Sequence, residues 1–302
     1  MTTPSGGGSS TAGFRRDPEL FAWKVAKDTL SAELLFPADG QWFNGHFPGF
    51  PVLPGVAQLF FFRRFARKAF REFPDAGAYR RIKFRRLVRP GERVLLEVER
   101  QSSRAMSFKM SVGGEIASCG SVEAAEIGES PQQMAPLPQS DRSGLPQSVL
   151  FDLLPHKPPM TMLSDVIAVD EPGAAVAVVD SSACSLFYDE EIGGVPACAA
   201  LEYMAQTMAL AVGAERYRRG EVPKIGFVLG TRRLDVGIPV FESSQRYAAT
   251  ARCAYFDDEF ASFDCAIFGP GGEAVAKASL TAYQPPESML AEGDVVLKGG
   301  RQ

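Results

Sequence analysis

The sequence predicts an α+β fold made of two similar blocks, and three observations predict it. A long apolar helix followed by a run of alternating strands occurs early in the chain, and the same order recurs after residue 149. A Pro-, Ser- and Gln-rich stretch, "EIGESPQQMAPLPQSDRSGLPQS" at 126–148, separates the two occurrences and reads as a linker. Each helix is apolar over much of its girth, which places it inside the curl of its own sheet. The 302 residues suit two domains. The expected divisions are a Gly/Ser-rich tail at 1–16, a first domain at 17–125, the linker, a second domain at 149–285, and a C-terminal tail at 286–302.

In the first block the helix spans about 55–72, "GVAQLFFFRRFARKAFRE", with Pro54 just before it and Arg63, Arg64, Arg67, Lys68 and Arg71 crowding its later part. Strands follow in "RRIKFRRLV", "RVLLEVERQS", "MSFKMSVGG" and "EIASCGSVEA", with "RPGE" and "GG" as turns. In the second block the helix spans about 196–219, "PACAALEYMAQTMALAVGAERYRR", and opens on a proline as helix geometry permits. Its strands are "IGFVLGTRRLDV", "QRYAATARCAYF", "ASFDCAIFG" and "AVAKASLTAYQ".

Composition narrows the function. No run of about 18 uninterrupted apolar residues appears, so no membrane span is expected. The first residues lack the apolar core of a secretory signal. The five cysteines (119, 184, 198, 253, 265) form no CxxC pair and no metal-type spacing with histidine. They read as reduced thiols of a cytoplasmic protein, and no metal site is expected. The net charge of −4 hides a split: residues 1–123 hold 19 Lys/Arg against 12 Asp/Glu, and the remainder 13 against 24. That asymmetry suggests an acidic partner for the first half, or two halves that attract each other.

Two histidines exist in the chain. His46 stands in "NGHFPGFPVLPGV", a loop dense in Gly and Pro that launches the first helix, and such a placement calls for a chemical partner. His156, in "LLPHKPP", reads as structural. Cys198, near the second helix start, reads as a small packed thiol.

"GHFPGFPVLPGV" followed by "IKFRRLVRPGERVLLEV" resembles the β-hydroxyacyl-acyl-carrier-protein dehydratases of the hotdog fold. The second block resembles the same superfamily through "LLPHKPPMTMLSDVI" and "LEYMAQTMA". Its "GGVPACAALEYMAQ" and "IGFVLGTRRLDVGIPVF" look most like the dehydratase-like proteins of aryl-polyene biosynthesis. The resemblance covers both blocks and implies a double hotdog: two antiparallel sheets, each wrapped round a long central helix, packed as a pseudo-dimer within one chain that pairs further or stands alone. In this family a histidine of one module faces an acid on the central helix of the other. The acid falls fourteen positions after the histidine, which from His46 lands on Phe60, whereas fourteen positions before Glu202 stands Tyr188. The resemblance therefore implies one composite site, His46 with Glu202, and one abandoned site.

Within that site His46 suits the base and Glu202, its pKa raised by burial, either the acid or the group that orders a water. Gln206, four residues after Glu202 and on the same face, is expected to hold the substrate hydroxyl or that water. The thioester oxygen is expected at the backbone N–H of Gly55, with Ala197 a competitor. Phe60, Phe61 and Met204 are expected to line the acyl slot. Arg63, Arg64, Arg67 and Lys68 are expected to dock an acidic acyl carrier protein, which accounts for the basic charge better than nucleic acid does. No cofactor is implied beyond the carrier's phosphopantetheine. A hotdog thioesterase, or a catalytically silent carrier-binding module, are the alternatives.

Overall fold

In the computed structural model, which describes residues 17–71, 73–124, 149, 151–169, 172–183, 186–257, 259–292, 295 and 297, the two blocks share one plan. The expected N-terminal tail (1–16) and linker (126–148) lie outside the described residues. The first block comprises β1 (Glu19–Val25), β2 (Thr29–Leu35), α1 (Gly55–Phe70), β3 (Gly77–Phe84), β4 (Arg93–Ser102), β5 (Ala105–Val112) and β6 (Glu115–Ala124). The second comprises β7 (Asp165–Ala168), β8 (Ala174–Asp180), β9 (Gly194–Pro196), α2 (Ala200–Arg218), β10 (Phe227–Val236), β11 (Val240–Glu242), β12 (Arg246–Phe256), β13 (Phe260–Phe268), β14 (Ala274–Tyr283) and α3 (Glu287–Glu292).

The two expected sheets are continuous. Among the described residues twelve strands form one sheet in the order β1-β2-β4-β5-β6-β3-β10-β14-β13-β12-β8-β7, and β9 and β11 form a small separate pair. The junction is the antiparallel pairing of β3 with β10, where Lys83 faces Gly230 and Arg80 faces Arg233. Backbone hydrogen bonds therefore cross from one module to the other, leaving neither central edge unpaired.

The sheet curls around both helices, and the helix sequences explain how. In α1 the first two turns, Val56 through Phe62, are buried, while Arg64 and Lys68 reach solvent on the later turns. In α2 burial is nearly continuous from Ala200 to Ala214, as expected for a helix apolar all round. A 3-10 turn at Ala197–Ala199 precedes α2, so the helix starts later than Pro196. The Ala197 N–H donates to the Pro239 carbonyl at 3.1 Å, which holds that residue out of the α-helical ladder.

The C-terminal segment, expected as a tail, is packed where it is described. Tyr283 Oη lies 3.7 Å from Met289 Sδ, and Val295 and Leu297 are buried.

Candidate active site

The His46 loop is seated on the opposite block. Gly45 has φ 77°, and a Cβ there would lie 1.8 Å from the Lys157 carbonyl oxygen, so glycine alone permits the approach. Across that contact the Lys157 N–H donates to the Gly45 carbonyl at 3.0 Å. The contact brings the two histidine rings to a centroid separation of 5.5 Å. His46 Nδ1 lies 3.0 Å from the Val52 carbonyl oxygen. A carbonyl only accepts, so Nδ1 carries the proton and the Nε2 lone pair is left for chemistry. Burial pushes the His46 pKa down to about 4, against the opposing pull of the Val52 bond, so the ring is neutral at physiological pH.

Glu202 projects from the first turn of α2 and is 5 % exposed. Burial raises its pKa to about 7, opposed by a hydrogen bond from Gln206. The Gln206 amide is fully committed. Its oxygen accepts from the Met162 N–H at 2.9 Å, and its nitrogen donates to the Met160 carbonyl at 2.7 Å and to Glu202 Oε1 at 2.8 Å. Gln206 therefore anchors the Met160–Met162 segment and the acid, and it does not line the cavity, which corrects the expectation that it contacts substrate.

His46 and Glu202 line one cavity of about 120 Å³, together with Gly55, His156, Gln58 and Arg86. From Glu202 the lining follows one face of α2 through Ala205, Ala209, Val212, Gly213 and Arg216. At the rise of an α-helix that face is roughly 21 Å long. Gly55 opens α1, which has no side-chain cap, and lines the cavity, so the positive end of the helix dipole lies at the cavity wall. A Cβ on Gly55 would meet the Phe84 ring at 2.7 Å. Ala197, the competing donor, has spent its N–H on Pro239 and lies off the cavity.

Phe60, Phe61 and Met204 are buried but do not line this cavity, which corrects the expected slot. Phe60 belongs to the pseudo-symmetric position. There it packs 5.7 Å from the Phe187 ring and 5.8 Å from that of Trp42, and Phe61 stacks edge-on to Trp42 at 4.8 Å. The position that matches Glu202 in the first block is thus packed among aromatic rings.

Arg63 is likewise internal. Its side chain is 3 % exposed and donates to Asp75 at 2.5 Å and to Asp189 at 3.0 Å, so it clasps the two blocks and is unavailable for docking. Arg67 also pairs with Asp75, Arg64 pairs with Asp17, and Lys68 lies 5.5 Å from the centre of the Trp23 ring. These three sit on the later turns of α1, Arg67 being about 13 Å along the axis from the cavity-lining Gln58. Removing one partner of a buried ion pair strands the others. Arg63→Ala is expected to lower stability by about 3–5 kcal/mol, read from the denaturant midpoint. A shift below about 1 kcal/mol would show that the clasp contributes little. Beside it, burial pushes the Cys198 thiol up to about 12, which keeps it inert.

Two cavity residues escaped the sequence reading. His156 is buried and its Nε2 lies 3.4 Å from Glu202 Oε1. Gln58 is 3 % exposed and its Oε1 has no partner among the described residues. The only sequence signal for Gln58 was its position three residues after Gly55, one turn on and therefore on the same helix face.

Two family models match the chain, one in each block. Residues 149–292 match the ApeP-like family, described as ApeP dehydratase, and residues 22–121 match the ApeI-like family, described as ApeI dehydratase. The chain is 38 % identical over 85 residues to the 3-hydroxyacyl-[acyl-carrier-protein] dehydratase FabZ of Oenococcus oeni, a match covering 24 % of this chain and 58 % of that protein. The chain thus spans about half the length of the curated relatives it matches. Among solved structures, the dehydratase domain of RzxB from Pseudomonas fluorescens aligns with TM-score 0.62 at 14 % identity, covering 89 % of this chain and 99 % of that one. The dehydratase heterocomplex ApeI:P from Xenorhabdus doucetiae aligns at 28 % identity with TM-score 0.45, over 47 % of this chain and 95 % of that one. The fold is a double hotdog, and its two halves resemble two different aryl-polyene dehydratase families.

Proposed function

From a chain built of two hotdog modules of dehydratase type, we propose a hydro-lyase that converts a 3-hydroxyacyl thioester, carried on the phosphopantetheine of an acyl carrier protein, to the trans-2-enoyl thioester. The carrying observation is that a neutral imidazole with a bare Nε2, from the first block, and a carboxyl with a raised pKa, from the second, line one cavity. The base is neutral above about pH 4 and the acid keeps its proton up to about pH 7, so the two required protonation states coexist between those values.

His46 Nε2 takes the C2 proton while the thioester oxygen accepts the N–H of Gly55, which disperses the developing enolate charge. The C2 electron pair then forms the C2=C3 bond as the C3–O bond breaks. Glu202 gives its proton to the departing hydroxyl, which leaves as water. His46 ends protonated and Glu202 ionised, and exchange with solvent restores both. The acyl chain runs along the α2 face toward Arg216, and the apolar lining there supports a long extended chain.

With Arg63 internal, docking of an acidic carrier falls to the exposed Arg85, next to the cavity-lining Arg86, which is itself paired with Glu92 and Glu115. Among the described residues no helix is long and apolar enough to cross a membrane, and no cluster of His, Cys, Asp or Glu is arranged to hold a metal ion.

The test is turnover of 3-hydroxyacyl- and enoyl-carrier substrates by the purified chain. Reversible gain and loss of water is expected. Release of free acid would favour a thioesterase, and binding without turnover a silent carrier-binding module.

A further inference from the structure

We infer that His156 is a positioning residue for the acid: its Nε2–H, together with Gln206, donates to one oxygen of Glu202 and so assigns the transferable proton to the other, Oε2. The inference rests on the dehydratase reading.

The argument starts from the Gln206 amide, whose orientation is fixed by two backbone groups of unambiguous role. The Met162 N–H can only donate and the Met160 carbonyl can only accept, so the nitrogen of Gln206 faces Glu202 Oε1 at 2.8 Å. Oε1 is therefore an acceptor. In a protonated carboxyl the carbonyl oxygen is the better acceptor, so the hydrogen resides on Oε2. His156 Nε2 approaches the same oxygen at 3.4 Å. Facing a carbonyl-type oxygen, that nitrogen must carry the hydrogen.

The rest of the ring agrees. His156 Nδ1 is buried with no partner among the described residues, and a bare lone pair there leaves no buried N–H unpaired. The groups around the ring are His46, Lys157 and Glu202. Burial first, then the unfavourable Coulombic effect that His46 and Lys157 have on a charged ring, hold the His156 pKa well below its ordinary value, so the ring is neutral. The two histidines are thus assigned opposite tautomers: Nδ1–H at His46, bonded to the Val52 carbonyl, and Nε2–H at His156, which lies 3.4 Å from Glu202 Oε1.

The chain has two histidines, so 15N NMR of histidine-labelled protein resolves both rings, assigned with His46→Asn and His156→Gln. Neutral Nδ1–H at His46 and neutral Nε2–H at His156 are expected. A His156 protonated at Nδ1 overturns the proposal whatever the activity. In kinetics, His156→Leu is expected to lower kcat roughly tenfold with KM within about twofold, since one orienting hydrogen bond is lost. His156→Gln, which keeps a donor, should recover most of the rate. If His156→Leu is folded by circular dichroism and keeps the wild-type kcat, the positioning role fails. Absence of dehydration in the wild type would instead remove the dehydratase reading, and the tautomers would still be read independently.

Discussion

On the proposed dehydratase reading, His46→Ala is expected to lower kcat/KM for dehydration by about 10²–10⁴-fold, and Glu202→Gln to do so to a similar extent, each in a protein that remains folded. The size follows from the chemistry. A C2 proton beside a thioester is weakly acidic, and water in a cavity lined mostly by apolar side chains is a poor base. Without His46 Nε2 no group on α1 can remove that proton, because Phe60 stands where the first block would supply an acid of its own. Glu202→Gln keeps the shape and the bond from Gln206 but cannot yield a proton to the leaving hydroxyl. The two losses should not add, because base and acid serve one transition state. Circular dichroism and the denaturant midpoint check the fold, and steady-state assays with a 3-hydroxyacyl carrier substrate check the rate. Full activity in either single variant would remove the composite site.

The second large effect is in the pH profile. His46 is held near 4 by burial, so it is a competent base above that value and is lost as a base when pH falls through it. Glu202 is held near 7, so it carries its proton below that value and is lost as an acid when pH rises through it. The profile of kcat/KM is therefore a bell with its plateau between about pH 4 and 7, falling about tenfold per unit outside. The two apparent values belong to the interacting pair. An acid limb near the ordinary histidine value would mean that His46 is hydrated in solution. A rate undiminished at pH 9 would show that Glu202 works as an anion, ordering a water instead of giving up its own proton. The same measurement on Glu202→Gln should lose the basic limb together with most of the rate.

Much of this was legible in the chain. The strands "RVLLEVERQS" and "EIASCGSVEA" became β4 and β6 residue for residue, because alternation and flanking turns set their ends locally. The pairing of His46 with Glu202 is what the resemblance to the dehydratase family implies, its fourteen-residue spacing carried across the two aligned blocks. The same alignment, followed to its end, puts Phe60 in the abandoned site, so its exclusion from the slot was implicit in the sequence. Arg63 was not legible. In a run of basic residues nothing separates it from Arg64, and its burial depends on Asp189, which lies 126 positions away in the other block. Gln206 and His156 fail the same way. Sequence pointed Gln206 at substrate and His156 at a structural role, whereas their contacts are with the Met160–Met162 segment and with Glu202, which only the folded arrangement brings near.

The filled pseudo-symmetric position carries a consequence for stoichiometry. A pair of identical modules would present two equivalent clefts and take up two thioesters. Here Phe60, at the position that matches Glu202, packs against the rings of Trp42 and Phe187. On the dehydratase reading proposed above, each polypeptide is therefore expected to take up a single acyl-pantetheine arm, a ratio that titration with a carrier-bound substrate would measure.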